Sequence, residues 1–285
     1  MTSKPPKNNL KIGLALSGGS ALGLFHIGVL QSLEDHDISI DCISGTSAGA
    51  IVAACYAFGI STTEIAARAK KISWWNLSSF SYSKMGLANT DAIGKLMEEI
   101  LGPVNIEDAK IPLTIVATDI KSGERIVFKK GNVSQAVMAS VCIPGLFAPV
   151  HVGDLLLVDG GLVENLPLLA LNDLEPNLKI GVNLTRWRTC KEPTSVIDVM
   201  LNTLYIISQK QIISHSQDTE ILIEPHLEKY SASDFKKVDE LMAEGYRAIT
   251  LAMPEIKQKI KEETVRILEH QPNLLVKFFK WLKGE

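Results

Sequence analysis

The chain has 285 residues, 46% of them hydrophobic, so it can bury the core of one large domain or two small ones and is not intrinsically disordered. Its formal net charge of -3 lacks the basic excess typical of nucleic-acid-binding proteins, so no nucleic-acid partner is expected. Its four cysteines (Cys42, Cys55, Cys142 and Cys190) form no C-x-x-C pair, which argues against zinc, and three lie in apolar runs typical of buried thiols in a reducing compartment.

The first predicted unit is a strand over Lys11–Ser17, a glycine-rich loop over Gly18–Gly23, and then a helix. The uncharged stretch Ile12–Leu30 is as long as a membrane span, but five glycines and a histidine interrupt it. We therefore predict a buried strand, loop and helix, and neither a membrane span nor a signal peptide. The protein is expected to be cytoplasmic, at most peripheral at a membrane surface.

A G-x-S-x-G pentapeptide follows, with Gly45 and Gly49 at its ends and Ser47 at its centre. The apolar run Ile38–Ile43 before it predicts a strand, and Ala50–Ala57 after it predicts a helix. A strand, a tight turn and a helix are the context in which this motif forms a nucleophile elbow. The pattern is short, so a turn of small residues between two elements is an equal alternative.

The rest of the chain alternates between strands and helices, which predicts a parallel or mixed sheet with helices on both faces. The aromatic-rich segment Ser73–Leu87 is predicted to be a flexible loop that serves as a lid or acyl-chain wall. The alternative is a long loop whose aromatic side chains pack on the core. Strands are predicted over Pro112–Thr118, Arg125–Phe128, Leu155–Val158, Lys179–Leu184 and Glu220–Glu224. Helices are predicted over Ser61–Lys71, Asn89–Leu101, Val133–Ser140, Pro193–Ser216, Asp234–Leu251 and Glu255–His270.

A serine nucleophile needs a base, which is most often a histidine. None of the six histidines lies in a context that suggests this role, and His26 is expected to pack or to bond to the backbone. Asp159 ends an apolar strand before two glycines, and the carboxyl ends of strands in open α/β sheets bind ligands. Partial desolvation there would raise its pKa and make it a better base. An ordinary D-G-G turn is the alternative.

The loop Gly18–Gly23 has two alternative interpretations. A dinucleotide-binding loop requires G-x-G-x-x-G, and Ser20 stands where the central glycine would be, so this interpretation is weak. The other is an oxyanion hole, in which the backbone N–H groups of Gly19 and Ser20 face an oxyanion formed on attack by Ser47.

Taken together, the motifs of this chain resemble those of the patatin-like phospholipase family, which includes bacterial members and the catalytic domain of neuropathy target esterase. The resemblance runs from about Lys11 to Leu251. The matching segments are Gly18–Gly23, His26–Leu30, Gly45–Gly49, Ala117–Asp119, Ala139–Phe147, Asp159–Gly161 with Asn165 and Pro167, and Gly245-Tyr246.

This resemblance implies a three-layer α/β/α sandwich with a mostly parallel central sheet. It also implies hydrolysis of acyl esters of phospholipids, lysophospholipids or simpler lipids through an acyl-enzyme, without calcium or any other cofactor. The implied site is a dyad of Ser47 and Asp159 with no histidine, and an oxyanion segment of Gly18, Gly19 and Ser20. An acyltransferase using the same acyl-enzyme, or a lipid-binding member with impaired turnover, are the alternatives.

Two positions depart from the family pattern. Leu22 stands where the family usually carries Arg or Lys, which leaves the backbone donors intact but bears on the rate and the headgroup preference. Ser20 stands where glycine is common, which is tolerable if its φ is negative.

Three regions are expected along the chain: a flexible tail of residues 1–9, a catalytic domain of residues 10–252 and a C-terminal helical extension of residues 253–285. Within the extension, a helix over Asn273–Lys283 would gather lysines on one side, with leucine, phenylalanine and tryptophan mostly elsewhere. That composition suits peripheral contact with a membrane, and an ordinary docked helix is the alternative. The oligomeric state is not readable from the sequence.

Overall fold

The computed structural model describes residues 10–71, 79–83, 85–187, 192–215 and 219–269. The N-terminal tail, Cys190 and the proposed interfacial helix at Asn273–Lys283 lie outside the described residues, as do Trp74 and Trp75 of the aromatic segment.

The described elements are eleven strands and eight α-helices. The strands are β1 (Ile12–Leu16), β2 (Cys42–Thr46), β3 (Ser79–Ser83), β4 (Gly86–Asn89), β5 (Leu113–Asp119), β6 (Arg125–Phe128), β7 (Gly145–Phe147), β8 (Val150–Val152), β9 (Leu155–Asp159), β10 (Leu178–Val182) and β11 (Ile221–Ile223). The helices are α1 (Phe25–Asp35), α2 (Ala48–Ala57), α3 (Thr62–Ala69), α4 (Asp91–Leu101), α5 (Val133–Ser140), α6 (Leu168–Asn172), α7 (Val196–His215) and α8 (Val238–Glu269).

A mixed, mostly parallel sheet of eight strands forms the centre of the described structure. Its order is β11-β10-β1-β2-β5-β9-β8, and β6 pairs with β5 off this path. The five strands from β11 to β5 are parallel, whereas β6 and β9 run antiparallel to β5. Strands β3, β4 and β7 form a second, smaller sheet.

Helices cover both faces of the central sheet. Alternate residues of β1 point to opposite faces, as the two-residue period of a strand requires. Leu14 and Leu16 join the larger core with residues of α1, α2 and α8, whereas Ala15 joins a smaller core with Leu168 and Leu171 of α6. This arrangement confirms the predicted three-layer α/β/α class. No bilayer-spanning helix is found in the described part of the chain.

Most predicted elements are confirmed, and α5 is found at the predicted Val133–Ser140. The predicted bounds Ile38–Ile43 of the strand before the pentapeptide are wrong. Strand β2 is Cys42–Thr46, because Gly45 pairs with β1 and β5 and Thr46 still pairs with β5. The two predicted C-terminal helices are one helix, α8, which continues through Pro254. Its buried residues on either side of the proline, Met253 and Ile256, keep it on the core.

Part of the aromatic segment forms strands rather than an irregular loop. Its C-terminal part contributes β3 and the start of β4, which pair with each other. Its role as a lid or acyl-chain wall stays a prediction. The prediction of buried thiols is confirmed for Cys42, Cys55 and Cys142, which are free and buried.

Candidate active site

Ser47 occupies a sharp turn between β2 and α2. Its backbone has φ 52 and ψ -123, a region that costs a non-glycine residue on the order of 1–3 kcal/mol. The helix begins at the next residue, and its first turn lies against the end of β1. A Cβ atom on Gly49 would lie 2.1 Å from the Leu16 carbonyl oxygen, so only glycine fits there. The turn therefore has the strand, bend and helix of a nucleophile elbow.

A buried hydroxyl from α5 holds the backbone of this turn. The Ser47 amide donates a hydrogen bond to Ser140 Oγ at 2.8 Å, and Ser140 Oγ donates to the Val116 carbonyl oxygen at 2.7 Å. Ser140 is fully buried. The amide of Ser47 is thus bound within the core and is not a donor for an oxyanion.

Asp159 lies next to the Ser47 hydroxyl. Ser47 Oγ donates a hydrogen bond to Asp159 Oδ2 at 2.7 Å, and the Gly161 amide donates to Oδ1 at 2.7 Å. The Asp159 carbonyl oxygen accepts from Thr118 Oγ1 at 2.9 Å, which fixes the backbone of the aspartate. Burial raises the pKa of Asp159 to about 6, although hydrogen bonds from Ser47 and Gly161 oppose this rise. The carboxylate can therefore take the Ser47 proton near neutral pH.

The strand pairing explains why these two side chains meet. Strand β6 occupies one edge of β5 at Ile115–Thr118, so β2 and β9 share the other edge. Thr46 pairs with Val116 from one direction, and Asp159 pairs with the next residue, Ala117, from the opposite direction. The strands therefore end facing each other, and Asp159 stands level with the elbow.

Asp159 does not reach the site in the way that the sequence predicts. The carboxyl-end rule applies to parallel strands, whereas β9 is antiparallel to β5. Asp159 reaches the correct edge because β9 enters from beyond the ends of the parallel strands and stops there.

The glycine loop lies on the other side of Ser47. The Gly18 amide donates to the Asn165 carbonyl oxygen at 3.1 Å, so of the three residues of the implied oxyanion segment Gly18 has no N–H to offer. Within the described structure, the amides of Gly19 and Ser20 have no hydrogen-bond acceptor, and both residues line the cavity beside Ser47 and Asp159. These two N–H groups are therefore the donors of the glycine loop that remain available to a ligand in the cavity.

The condition under which serine would be tolerable at position 20, a negative φ, is not met. The φ of Ser20 is 53, a left-handed conformation that costs an L-residue roughly 1–2 kcal/mol. Two hydrogen bonds to one carbonyl oxygen, that of Ala232, hold the residue in this conformation. The Ser20 hydroxyl donates at 2.9 Å and the Ala21 amide at 3.1 Å. The segment before α8 thus supports the glycine loop.

No imidazole takes part in the described hydrogen bonds of Ser47 or Asp159. His26 is fully buried and its Nε2 donates to the Ser17 carbonyl oxygen at 2.8 Å, in agreement with the expectation that it packs or bonds to the backbone. Burial lowers the pKa of His26 to about 4, although the hydrogen bond with Ser17 opposes this, so the ring is neutral at pH 7. His36 bonds to the Ser32 carbonyl oxygen, and His226 to Glu228.

Leu22 packs into the larger core and is absent from the lining of the cavity. The position at which the family usually has a cation is therefore filled by a buried apolar side chain.

The cavity over Ser47 and Asp159 is small and lies beneath α7. Its volume is about 40 Å³, and Leu201, Leu204 and Tyr205 of α7 form part of its wall. No cluster of three or more metal-ligating side chains occurs in the described part of the chain. The arrangement has groups suited to nucleophilic attack, proton transfer and oxyanion binding.

Sequence reasoning missed two residues that hold this site, Ser140 and Thr118. Both fall inside segments that match the family, but their roles were not assigned. A small hydroxyl residue in an apolar helix or strand is the only local signal, and it does not identify a partner far away in sequence.

Three comparisons with known proteins bear on this site. A family model described as patatin-like phospholipase matches residues 14–172. An uncharacterized NTE family protein of Mycobacterium tuberculosis is 37% identical over 177 residues, which cover 61% of this chain and 49% of that protein. The chain thus spans about half the length of that relative.

A more distant relative and one solved structure extend the comparison. Lysophospholipase NTE1 of Meyerozyma guilliermondii is 28% identical over 271 residues, which cover 84% of this chain and 19% of that protein. The crystal structure of VipD from Legionella pneumophila matches with a TM-score of 0.50 and 14% identity, over 89% of this chain and 68% of VipD. The match to VipD supports the fold.

Proposed function

Because this chain belongs to the patatin-like phospholipase family, we propose that it is a serine hydrolase that cleaves acyl esters of phospholipids or lysophospholipids through a dyad of Ser47 and Asp159. The observation that carries the proposal is the 2.7 Å hydrogen bond from Ser47 Oγ to Asp159 Oδ2. The name of the lysophospholipase among its relatives supports the substrate class.

Acylation begins when Ser47 Oγ attacks the ester carbonyl carbon and its proton passes to Asp159 Oδ2. The carbonyl oxygen becomes an oxyanion, and the free N–H groups of Gly19 and Ser20 are suited to bind it, which typically contributes roughly a hundredfold or more in rate per donor. Collapse of this intermediate breaks the bond to the leaving alcohol, which takes the proton from Asp159. The acyl group remains on Ser47 Oγ.

Deacylation uses the same groups in reverse. A water molecule attacks the acyl carbon and gives its proton to Asp159, and the Ser47 oxygen takes that proton as it leaves. The fatty acid is released and the dyad is restored. A carboxylate with a pKa of about 6 is matched to both proton transfers, since a base works best when its pKa is near the operating pH.

Labelling with a fluorophosphonate probe tests the nucleophile. The wild-type protein should be labelled, Ser47→Ala should not, and Asp159→Asn should react at least about a hundredfold more slowly, because an amide cannot take the proton. Ser44→Ala is the matched control: this buried serine lies in β2, and its hydroxyl bonds to the Pro167 carbonyl oxygen rather than facing the cavity. It should be labelled like the wild type.

Release of fatty acid from lysophosphatidylcholine tests the reaction. The wild type should release fatty acid and the Ser47→Ala variant should not. Labelling of Ser47 without fatty-acid release, but with transfer of the acyl group to an added alcohol, would assign an acyltransferase instead. A folded wild-type protein that fails to react with the probe would contradict the dyad.

A further inference from the structure

Asn165 is a buried polar residue next to the proposed dyad, and the reaction steps given above do not use it. It is 5% exposed, and it lines the cavity together with Ser47 and Asp159. A Cβ atom on Gly18 would lie 2.6 Å from Asn165 Oδ1 and 3.1 Å from Ser47 Cβ. A Cβ atom on Gly161 would lie 3.1 Å from Asn165 Oδ1 and 3.0 Å from Asp159 Oδ1. The amide oxygen of Asn165 therefore lies beside both members of the dyad.

A chain of hydrogen-bonded side chains fixes the orientation of this amide group. The chain starts at Glu224, whose carboxylate accepts a hydrogen bond from Asn183 Nδ2 at 2.8 Å. The other end of the Asn183 amide is then its oxygen, which accepts from the backbone amide and the hydroxyl of Thr185 at 3.1 and 3.0 Å. A hydroxyl group has one proton, and that of Thr185 is directed at Asn183. The Thr185 hydroxyl oxygen therefore accepts from Asn165 Nδ2, at 3.4 Å, rather than donating to Asn165.

This orientation leaves the Asn165 amide oxygen as the end of the chain that faces the cavity. Within the described residues Asn165 Oδ1 accepts no hydrogen bond, and it is not sealed from the cavity. An amide oxygen carries partial negative charge and has no proton to donate, so it cannot stabilise an oxyanion as the N–H groups of Gly19 and Ser20 can. It is suited instead to accept a hydrogen bond from a hydroxyl group or a water molecule beside Ser47.

The proposed deacylation step has a use for such an acceptor. The attacking water has two protons, and Asp159 takes one of them as the water oxygen bonds to the acyl carbon. The bond from the acyl carbon to Ser47 Oγ then breaks, and that oxygen takes the proton held by Asp159. The second proton of the water stays on its oxygen, and a hydrogen bond from it to Asn165 Oδ1 would turn the lone pair of the water toward the acyl carbon. The cavity of about 40 Å³ has room for this water, since a buried water needs roughly 10–15 Å³ and two to four polar partners.

We propose that Asn165 Oδ1 binds the deacylating water and so favours water over an alcohol in the attack on the acyl-enzyme, a role that rests on the proposed function. Water satisfies both Asp159 and Asn165 because it has two protons. An alcohol has one hydroxyl proton, which Asp159 must take, so the amide oxygen of Asn165 would lack a hydrogen bond during the attack. A buried acceptor without a donor is unfavourable. The site therefore favours hydrolysis over transfer of the acyl group to an alcohol.

The products formed from a nitrophenyl ester of butyric acid in the presence of methanol test this preference. Butyric acid and methyl butyrate arise from the same acyl-enzyme, so their ratio reports the fate of that intermediate and not the rate of acylation. At a fixed methanol concentration, the ratio of acid to methyl ester should fall at least about fivefold in Asn165→Ala, because the hydrogen bond that selects water is lost.

Acylation should be nearly unchanged in the same variant. The Asn165 carbonyl oxygen still accepts from the Gly18 amide, so the glycine loop keeps that contact. The rate of fluorophosphonate labelling should change less than about twofold, because reaction of Ser47 with the probe requires no water. A residue that merely holds the shape of the site would instead slow the labelling and the turnover together.

Two further variants complete the measurement. Thr185→Val removes the oxygen that accepts from Asn165 Nδ2, so the amide can turn over, and the ratio of acid to methyl ester should fall at least about twofold. Asn177→Ala is the matched control. Asn177 precedes β10 at the opposite end of the sheet, where its Oδ1 accepts from the Lys11 amide at 2.8 Å. The Asn177→Ala variant should give the wild-type ratio.

The outcomes separate this role from the proposed function. A wild-type product ratio in a folded Asn165→Ala variant would overturn the role of Asn165 and leave the hydrolase intact. Loss of fluorophosphonate labelling in parallel with turnover in that variant would also contradict it. If Asn165→Ala does not fold, the ratio for Thr185→Val decides, and an unchanged value there overturns the proposal. A wild-type protein that is not labelled and forms neither product would refute the proposed function, and the role of Asn165 with it.

Discussion

The Ser47 amide is bound to the Ser140 hydroxyl at 2.8 Å, so a residue of α5 holds the backbone of the proposed nucleophile. Ser47 has a positive φ, which an L-residue does not adopt without support from its surroundings. The Ser140 hydroxyl supplies part of that support. Ser140 does not touch the substrate in the proposed reaction, so we regard it as a positioning residue.

Replacing Ser140 should lower turnover more than substrate binding. In Ser140→Ala the buried Ser47 amide loses its acceptor, which should cost about 1–3 kcal/mol in the free energy of unfolding. Relaxation of the turn would displace Ser47 Oγ from Asp159, and small misplacements of a nucleophile cost up to roughly a hundredfold in rate. We expect kcat to fall at least about tenfold while KM changes little, as measured by steady-state hydrolysis of a short-chain ester.

Ser134→Ala is the matched control for this prediction. Ser134 is also a buried serine of α5, but its hydroxyl makes no hydrogen bond within the described residues. The turnover of the Ser134→Ala variant should stay at the wild-type value. A wild-type kcat for Ser140→Ala would show that the elbow keeps its shape without this hydroxyl.

The activity should fall on the acid side of neutrality. Asp159 must be ionised to accept the Ser47 proton, and burial raises its pKa to about 6. The profile of kcat/KM against pH should be half-maximal near pH 6 and decrease about tenfold for each further unit of acid, since this profile reports the free enzyme. An ordinary aspartate, with a pKa of 3.8, would leave the activity unchanged down to about pH 4.5. A profile flat from pH 5 to pH 8 would contradict the raised pKa of Asp159.

Much of the fold and the two residues of the proposed dyad could be predicted from the sequence, because those signals are local. Apolar runs, glycines and the G-x-S-x-G turn lie within a few residues of the elements they determine. The meeting of β2 and β9 could not be predicted, since it depends on which edge of β5 each strand occupies. The role of Ser140 depends on a contact across 93 residues, and the positive φ of Ser20 depends on the Ala232 carbonyl oxygen.

The raised pKa of Asp159 also has a consequence for stability. A carboxyl group that is harder to ionise in the folded state than in the unfolded state stabilises the fold below its unfolded pKa of 3.8, and this contribution is lost as pH rises to about 6. Asp159→Asn removes the dependence. As the pH is raised from about 4.5 to about 8, the free energy of unfolding of the variant minus that of the wild type should increase by on the order of 2 kcal/mol.

Asp119→Asn is the control for this measurement and should show almost no change relative to the wild type between the two pH values, because both lie above the pKa of Asp119 in the folded and in the unfolded state. A hydrogen bond from Ser122 lowers the pKa of Asp119, so its carboxylate stabilises the fold above its unfolded pKa, and the contribution is lost in acid. Urea unfolding of both variants at the two pH values checks the pair. If Asp159→Asn gains no stability relative to the wild type on going to pH 8, the buried carboxylate does not carry the cost of burial we assign to it.

Restoring the family's cation at position 22 should damage the protein rather than improve it. Leu22 is 1% exposed and packs in the larger core, so Leu22→Arg places an unpaired charge among apolar side chains. We expect the free energy of unfolding to fall by at least about 3 kcal/mol, measured by urea denaturation. Leu22→Met, which keeps the volume and the apolar character, should cost less than about 1.5 kcal/mol. A stable Leu22→Arg protein with a higher kcat would instead mean that the arginine side chain leaves the core and reaches the oxyanion, and the loop would then be less tightly packed than its contacts indicate.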